Sequence, residues 1–215
     1  MIIFMIIIQV LVLVYSVILH EISHGLVAER LGDPTARISG RLTLKPKSHI
    51  DPVMTIAVPL ILILVGSPVI FGGAKPVPVD SLNFRRPKRD IALVSAAGPL
   101  TNFAIAVILA ILLNILALLS LPVGWLSAIS QVITYGIIIN VILGLFNLLP
   151  IPPLDGFKVV GGFLPDHLAA DWYNLEKFGL IPLFILLFFF SSSVSSVFYS
   201  AANSIVQTLL SIKYV

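Results

Sequence analysis

The stretch VILHEISHGLVAER, Val17 to Arg30, decides how the chain is read. Residues 1–19 carry no ionisable side chain, and the run ends in His20, Glu21 and His24. A charge-free run of about 18 or more apolar residues is long enough to cross a bilayer as a helix. Ionisable groups at such a helix are costly, face the protein interior or a wet cavity, and mark function. His20 and His24 are four apart, so a helix puts both imidazoles on one face. Glu21 projects about 100° away. This is the H-E-x-x-H spacing of zinc hydrolases, in which the two histidines hold the ion and the glutamate takes a proton from its water. Gln9, Ser16, His20, Ser23 and His24 fall near one stripe, which is expected to face the bundle interior. A His–Glu proton relay in a transporter is the reading without a metal.

Working outward, the whole chain has the composition of a membrane protein. Of 215 residues, 58% are hydrophobic and 11% charged, against about 25% charged in soluble domains. No Asp, Glu, Lys, Arg or His occurs in 1–19, 52–74, 91–154 or 178–212. The run 91–154 holds two spans, with a break near Leu121-Pro122-Val123-Gly124. The first 19 residues lack a basic leader and a small-residue cleavage site, so they read as a span. With no cysteine, disulfides and thiolate ligands are excluded. No polar stretch is long enough for a separate domain. The expectation is an all-α polytopic membrane protein, residues 1–215 forming one membrane-embedded domain with about four transmembrane helices. These are residues 2–28, 91–119, 127–149 and one beginning near 179. Whether 178–212 is a single span or a span plus a surface helix is left open.

Arginine and lysine collect in short cytoplasmic loops. Here they occupy 30–47 and 75–89, with Lys158 and Lys177 after the run ending at Leu154. That places 29–51, 75–90 and 155–177 on the cytoplasmic side of a cell membrane. Segment 52–74 is then re-entrant, and Pro59, Gly66, Pro68, Gly72 and Gly73 suit a broken path. An ordinary span with one exceptional external basic loop is the alternative. The cluster Arg85-Arg86-Pro87-Lys88-Arg89 reads as an anchor beside anionic lipid, not as a nucleic-acid site. His49 and His167 have no partner at ligand spacing and read as loop or interfacial residues. Trp125, Trp172 and Tyr173 flank spans as belt aromatics do.

A catalytic zinc needs three protein ligands and an open position. The class with a third histidine is excluded, because Val27 and Arg30 occupy its later positions. Asp33, Asp51, Asp80, Asp90, Asp155, Asp166, Asp171, His49 and His167 remain. Asp155 lies in NLLPIPPLDG, Asn147 to Gly156, where Pro150, Pro152 and Pro153 forbid a regular helix. The carboxylate can turn inward there, or the motif can be a plain membrane-exit turn. If residues 52–74 do not cross, Asp155 emerges at the same end of the bundle as His20.

At this point the sequence resembles the site-2 proteases, intramembrane zinc metalloproteases, in the minimal form without PDZ or CBS domains. The matching residues are His20-Glu21-Ile22-Ser23-His24, Ala97-Gly98-Pro99-Leu100-Thr101-Asn102 and Asn147 through Gly156. The resemblance implies His20, His24 and Asp155 as ligands of Zn2+, Glu21 as acid/base, and Asn147 near the substrate carbonyl. It implies peptide hydrolysis in the membrane, with a single-span membrane protein as substrate and the bilayer as the other partner. Oligomeric state is unknown.

Two further readings come from the residues. Gly98, Asn102, Ala106, Ala110 and Asn114 form one small-residue row, and Gly136, Asn140, Gly144 and Asn147 another; such rows let helices approach closely. Gly98 and Asn102 read as structural, and Asn147 as a hydrogen-bond donor to a developing oxyanion. In GGAKPVPVD, Gly72 to Asp80, prolines hold the chain extended and remove donors from one edge. Gly73, Lys75, Val77 and Val79 keep theirs, making a short β-like segment that could pair with an unwound substrate. A stiff surface loop is the plain alternative. For the whole chain, a metal-ion or proton-coupled transporter using the same His/Asp cluster is the competing function, and an inactive protease homologue acting as a scaffold is another.

Overall fold

Thirteen of the first 19 residues are isoleucine, leucine or valine, and no proline occurs before Pro34. Accordingly α1 runs unbroken over Ile2–Leu31. The structure, a computed structural model, describes residues 2–66, 72–118, 122–189 and 191–210. Gly32 ends α1 with φ 114°, the backbone region that favours glycine. Asp33 then starts the short helix α2 (Thr35–Ile38) by accepting the Thr35 amide at 3.1 Å.

Pro52–Ala57 is one π-type turn, and α3 (Val58–Leu64) continues it. Together they are too short to cross a membrane. The Gly73 amide donates to the Met54 carbonyl at 3.0 Å, so the chain returns to where the segment began. Residues 67–71, the tip of the expected re-entrant run, lie outside the described residues.

Helix α4 spans Pro87–Ala117 and α5 spans Val123–Asn147. Pro87 suits the first turn, where its missing N–H costs nothing, and the Asp90 carboxylate accepts the Arg86 amide at 3.0 Å. Pro150 stops α5. Helices α6 (Asp155–Phe163) and α7 (Asp166–Tyr173) follow, then α8 (Ile181–Phe189) and α9 (Ser191–Leu210).

Helices α1, α4 and α5 make the bundle. Only small side chains let them approach: a Cβ on Gly136 would lie 2.8 Å from Leu109, and one on Gly144 would lie 2.9 Å from Phe103. Ala106, Ala110, Ile133, Ile137 and Val141 form the core, closed by Ala202 and Val206 of α9. The outward faces carry large apolar side chains, such as Ile3, Phe4, Ile6 and Ile7 of α1. Ser16, His20, His24, Asn102 and Asn140 are buried instead. Apolar outside and polar inside suits a hydrocarbon solvent.

The fold is all-helical among the described residues, and three helices are long and apolar enough to cross a membrane: α1, α4 and α5. The expected fourth, from near 179, falls on α8 and α9, and residue 190 between them lies outside the described residues. The expected β-like segment has no ladder: residues 73–80 have no regular structure and bond to loops and side chains. Trp172 and Tyr173, expected as belt aromatics, pack on α6. The Trp172 ring stacks on Phe157 at 4.8 Å and its N–H donates to the Phe157 carbonyl. The Trp125 side chain lies outside the described residues.

Candidate active site

The histidine pair enters from α1. His20 and His24 are 6% and 8% exposed, and their rings meet edge to face at 4.7 Å. Asp155 is the first residue of α6, immediately after the proline turn that ends α5. Its Oδ2 lies 3.1 Å from His20 Nε2 and 3.3 Å from His24 Nε2. The helix order explains the meeting: α1 ends where α4 begins, α4 and α5 go out and back, and the turn after α5 returns to His20. A close approach of Gly156 fixes the turn, because a Cβ there would lie 2.1 Å from the Leu148 carbonyl oxygen.

Hydrogen bonds fix both imidazole tautomers. The His24 Nδ1 lies 2.7 Å from the Val94 carbonyl, which can only accept, so Nδ1 carries the proton. His20 is set by a longer relay. The Asn140 amide donates to the Gly136 carbonyl at 2.8 Å and to Ser16 Oγ at 2.9 Å. Its oxygen therefore accepts from Asn102 Nδ2 at 2.9 Å. The Asn102 oxygen then accepts from His20 Nδ1 at 2.6 Å. A backbone carbonyl on α5 thus dictates the protonated nitrogen of a histidine on α1.

Both Nε2 atoms are left as lone pairs aimed at a carboxylate. Asp155 Oδ2 is buried and has no hydrogen-bond donor directed at it. With both imidazoles neutral, three acceptors whose atoms lie within 4.8 Å of one another repel unless a proton or a metal ion sits among them. Gly98 keeps the space open, since a Cβ there would fall 2.5 Å from Nε2 of both histidines. The donor set of two imidazoles and one carboxylate is a catalytic zinc set. The residues present fit the metal.

Glu21 is half-buried, and its Oε2 accepts the Val77 amide at 2.9 Å. The Lys75 amide donates to the His49 carbonyl at 2.8 Å, and Arg41 donates to the Lys75 carbonyl. With Gly73 on Met54, three of the four amides expected on the free edge are engaged within the chain. Asn147 ends α5, and its amide donates to the Leu143 carbonyl of its own helix at 3.0 Å.

Other candidate ligands have structural work. Asp51 accepts the Val53 and Met54 amides, Asp80 the Leu82 amide and Asp90 the Arg86 amide. Asp166 pairs with Lys88. His49 is buried, not interfacial, with Nε2 2.8 Å from the Thr43 carbonyl. Asp33 is fully buried and holds Thr35, the Asp80 amide and Asn83. Sequence reasoning missed that anchor, although Asp followed two residues later by Thr is a turn and cap signal. It also missed the Asn140 relay, whose signal was an amide among small residues inside a span.

The comparisons with known proteins give the chain a family. The family model described as peptidase family M50 matches residues 8–133 and 123–168. "Putative zinc metalloprotease YwhC" of Bacillus subtilis (strain 168) is 38% identical over 181 residues, 83% of this chain and 78% of that protein. "Putative zinc metalloprotease Rip2" of Mycobacterium tuberculosis (strain ATCC 25618 / H37Rv) is 29% identical over 188 residues, 86% of this chain and 67% of that protein. A protein of the same name in Mycolicibacterium smegmatis is 28% identical over 211 residues, covering 89% and 76%. No solved structure matches the chain significantly. The matched segments contain the histidine pair, the Gly98–Asn102 row and Asp155, and the chain belongs to peptidase family M50, the zinc metalloproteases of site-2 type.

Proposed function

We propose that this metalloprotease works inside the bilayer as one domain, residues 1–215, and hydrolyses peptide bonds of single-span membrane proteins. His20, His24 and Asp155 would hold Zn2+. The observation that carries the reading is the buried Asp155 oxygen facing two imidazole lone pairs without a donor. Zinc, when bound, supplies Lewis acidity that brings the pKa of water down to about 7. Glu21 is the acid/base. The Val77 amide holds Oε2, which leaves Oε1 to take a proton from the attacking water and return it to the leaving amine. Asn147 has a second amide hydrogen beyond the one given to Leu143, and that hydrogen serves the developing oxyanion.

The segment carrying Gly73, Lys75, Val77 and Val79 lies beside Glu21 and is the substrate-binding element. Because the Gly73, Lys75 and Val77 amides are engaged, the substrate pairs on the opposite edge. There the carbonyls of Ala74, Pro76 and Pro78 accept amides from an unwound substrate. The basic loops support a catalytic site toward the cytoplasmic side. The transporter reading is not favoured, since the comparisons give a protease family.

The test is Glu21→Gln in protein reconstituted with a single-span substrate. Cleavage falls on the order of 10²–10⁴-fold while zinc content is unchanged. Wild-type cleavage by Glu21→Gln would overturn the role of Glu21.

A further inference from the structure

We propose that the chain holds an anionic glycerophospholipid head group in a cavity between the end of α1 and the start of α4. The cavity has a volume of about 480 Å³ and is lined by Arg30, Arg85, Arg86, Arg89, Asp90 and Leu93, with the Leu31–Gly32 turn. That size lies in the range of small-ligand sites, about 300–1,000 Å³.

The charge in this cavity is not balanced from within. Four exposed arginines and one aspartate line it, and Asp90 is buried with an oxygen already on the Arg86 amide. Among the described residues, none of the four arginine side chains has an ion pair or a hydrogen bond. By contrast, Arg37 nearby is paired with Glu29, and Lys88 with Asp166. Arginine keeps its charge at any working pH, so four of them around one cavity favour an anion there. Guanidinium forks match phosphate oxygens two at a time. The arginines also come from two elements, one from α1 and three from around the start of α4, so one bound anion ties the two helices together.

Free phosphate and a lipid head group share this chemistry, and the surroundings favour the lipid. Leu93 lines the cavity and is 42% exposed, while Leu100 and Val107, on the same face of α4, are 61% and 43% exposed. Residues seven apart share a helix face. An apolar track thus leaves the cavity along α4, as an acyl chain would. Basic pockets between transmembrane helices bind such head groups. The site is separate from the His–Asp cluster and does not depend on the proposed reaction.

The experiment uses the full chain in a neutral detergent, with thermal unfolding followed as short-chain phosphatidylglycerol, short-chain phosphatidylcholine or inorganic phosphate is added. Phosphatidylglycerol raises the midpoint, and the other two do not. Arg85→Gln/Arg89→Gln weakens the apparent lipid affinity roughly thirtyfold. Lys45→Gln/Lys47→Gln removes the same charge outside the cavity and leaves the affinity unchanged. Equal weakening by both pairs would show a general charge effect and overturn the site. An equal shift with inorganic phosphate would overturn the lipid assignment, and no shift with phosphatidylglycerol would overturn the proposal. If the arginine pair does not fold, Arg30→Gln from α1 replaces it, with the same outcomes read.

Discussion

Gly98 shows how much of the site rests on one missing methyl group. Its Cβ would fall 2.5 Å from Nε2 of His20 and of His24. Gly98→Ala therefore fills the place where the three lone pairs converge, and metal analysis of the purified variant is expected to find zinc lost with helix content retained by circular dichroism. Asn102 acts one bond further out, holding the His20 proton on Nδ1. Asn102→Leu leaves that nitrogen without its acceptor, and zinc affinity, measured by competition with a chelator, is expected to fall about 10–100-fold. The histidine spacing and the row of small residues were legible in the sequence, because helical periodicity depends only on residue type and offset. The direction of the relay was not. It is set by the Gly136 carbonyl on a helix more than a hundred residues away, and no local pattern encodes that partner.

Segment 72–80 is the element in which sequence expectation and structure differ most. Its prolines predict an extended chain with one edge stripped of donors. The sequence did not reveal that the remaining donors already had acceptors at Met54, His49 and Glu21. Those acceptors lie in other loops and on α1, so only the tertiary structure brings them there. Val77→Pro deletes the amide that holds Glu21 Oε2, whereas Val77→Ala keeps it. Turnover of a cleaved substrate is expected to drop for Val77→Pro with zinc content unchanged, and to stay near wild type for Val77→Ala. The far end of the segment hangs on Asp33. Burial pushes the Asp33 carboxyl up, but hydrogen bonds from Thr35, Asp80 and Asn83 outweigh it and hold the carboxyl below the usual carboxylate range. A carboxyl that is more acidic in the folded state stabilises the fold above the ordinary carboxylate pKa, and that contribution is lost as pH falls through the lowered native value. Asp33→Ala is expected to destabilise by about 2–3 kcal/mol near neutral pH. Its thermal midpoint should converge with that of wild type as the buffer is acidified below the carboxylate range.

For the whole molecule, charge placement and proline positions predict a route in which 52–74 enters and returns. The loops rich in arginine and lysine, the short run 52–64 and the return of residue 73 to residue 54 agree on one arrangement. The course of the last hydrophobic run, 178–212, is not legible in the sequence, because its serines permit either a long helix or a broken one. The absence of cysteine makes topology directly testable. Single cysteines at Lys47 and Arg89 are expected to react with an impermeant reagent from the same face of the membrane, and one at Gly124 from the opposite face. All of this serves one convergence, of two imidazoles from α1 with a carboxylate from the turn after α5. Metal analysis of purified protein, wild type beside Asp155→Ala and Glu21→Gln, tests that convergence most directly. Equimolar zinc in wild type and Glu21→Gln, with loss in Asp155→Ala, is the result expected; as much zinc in Asp155→Ala as in wild type would contradict it.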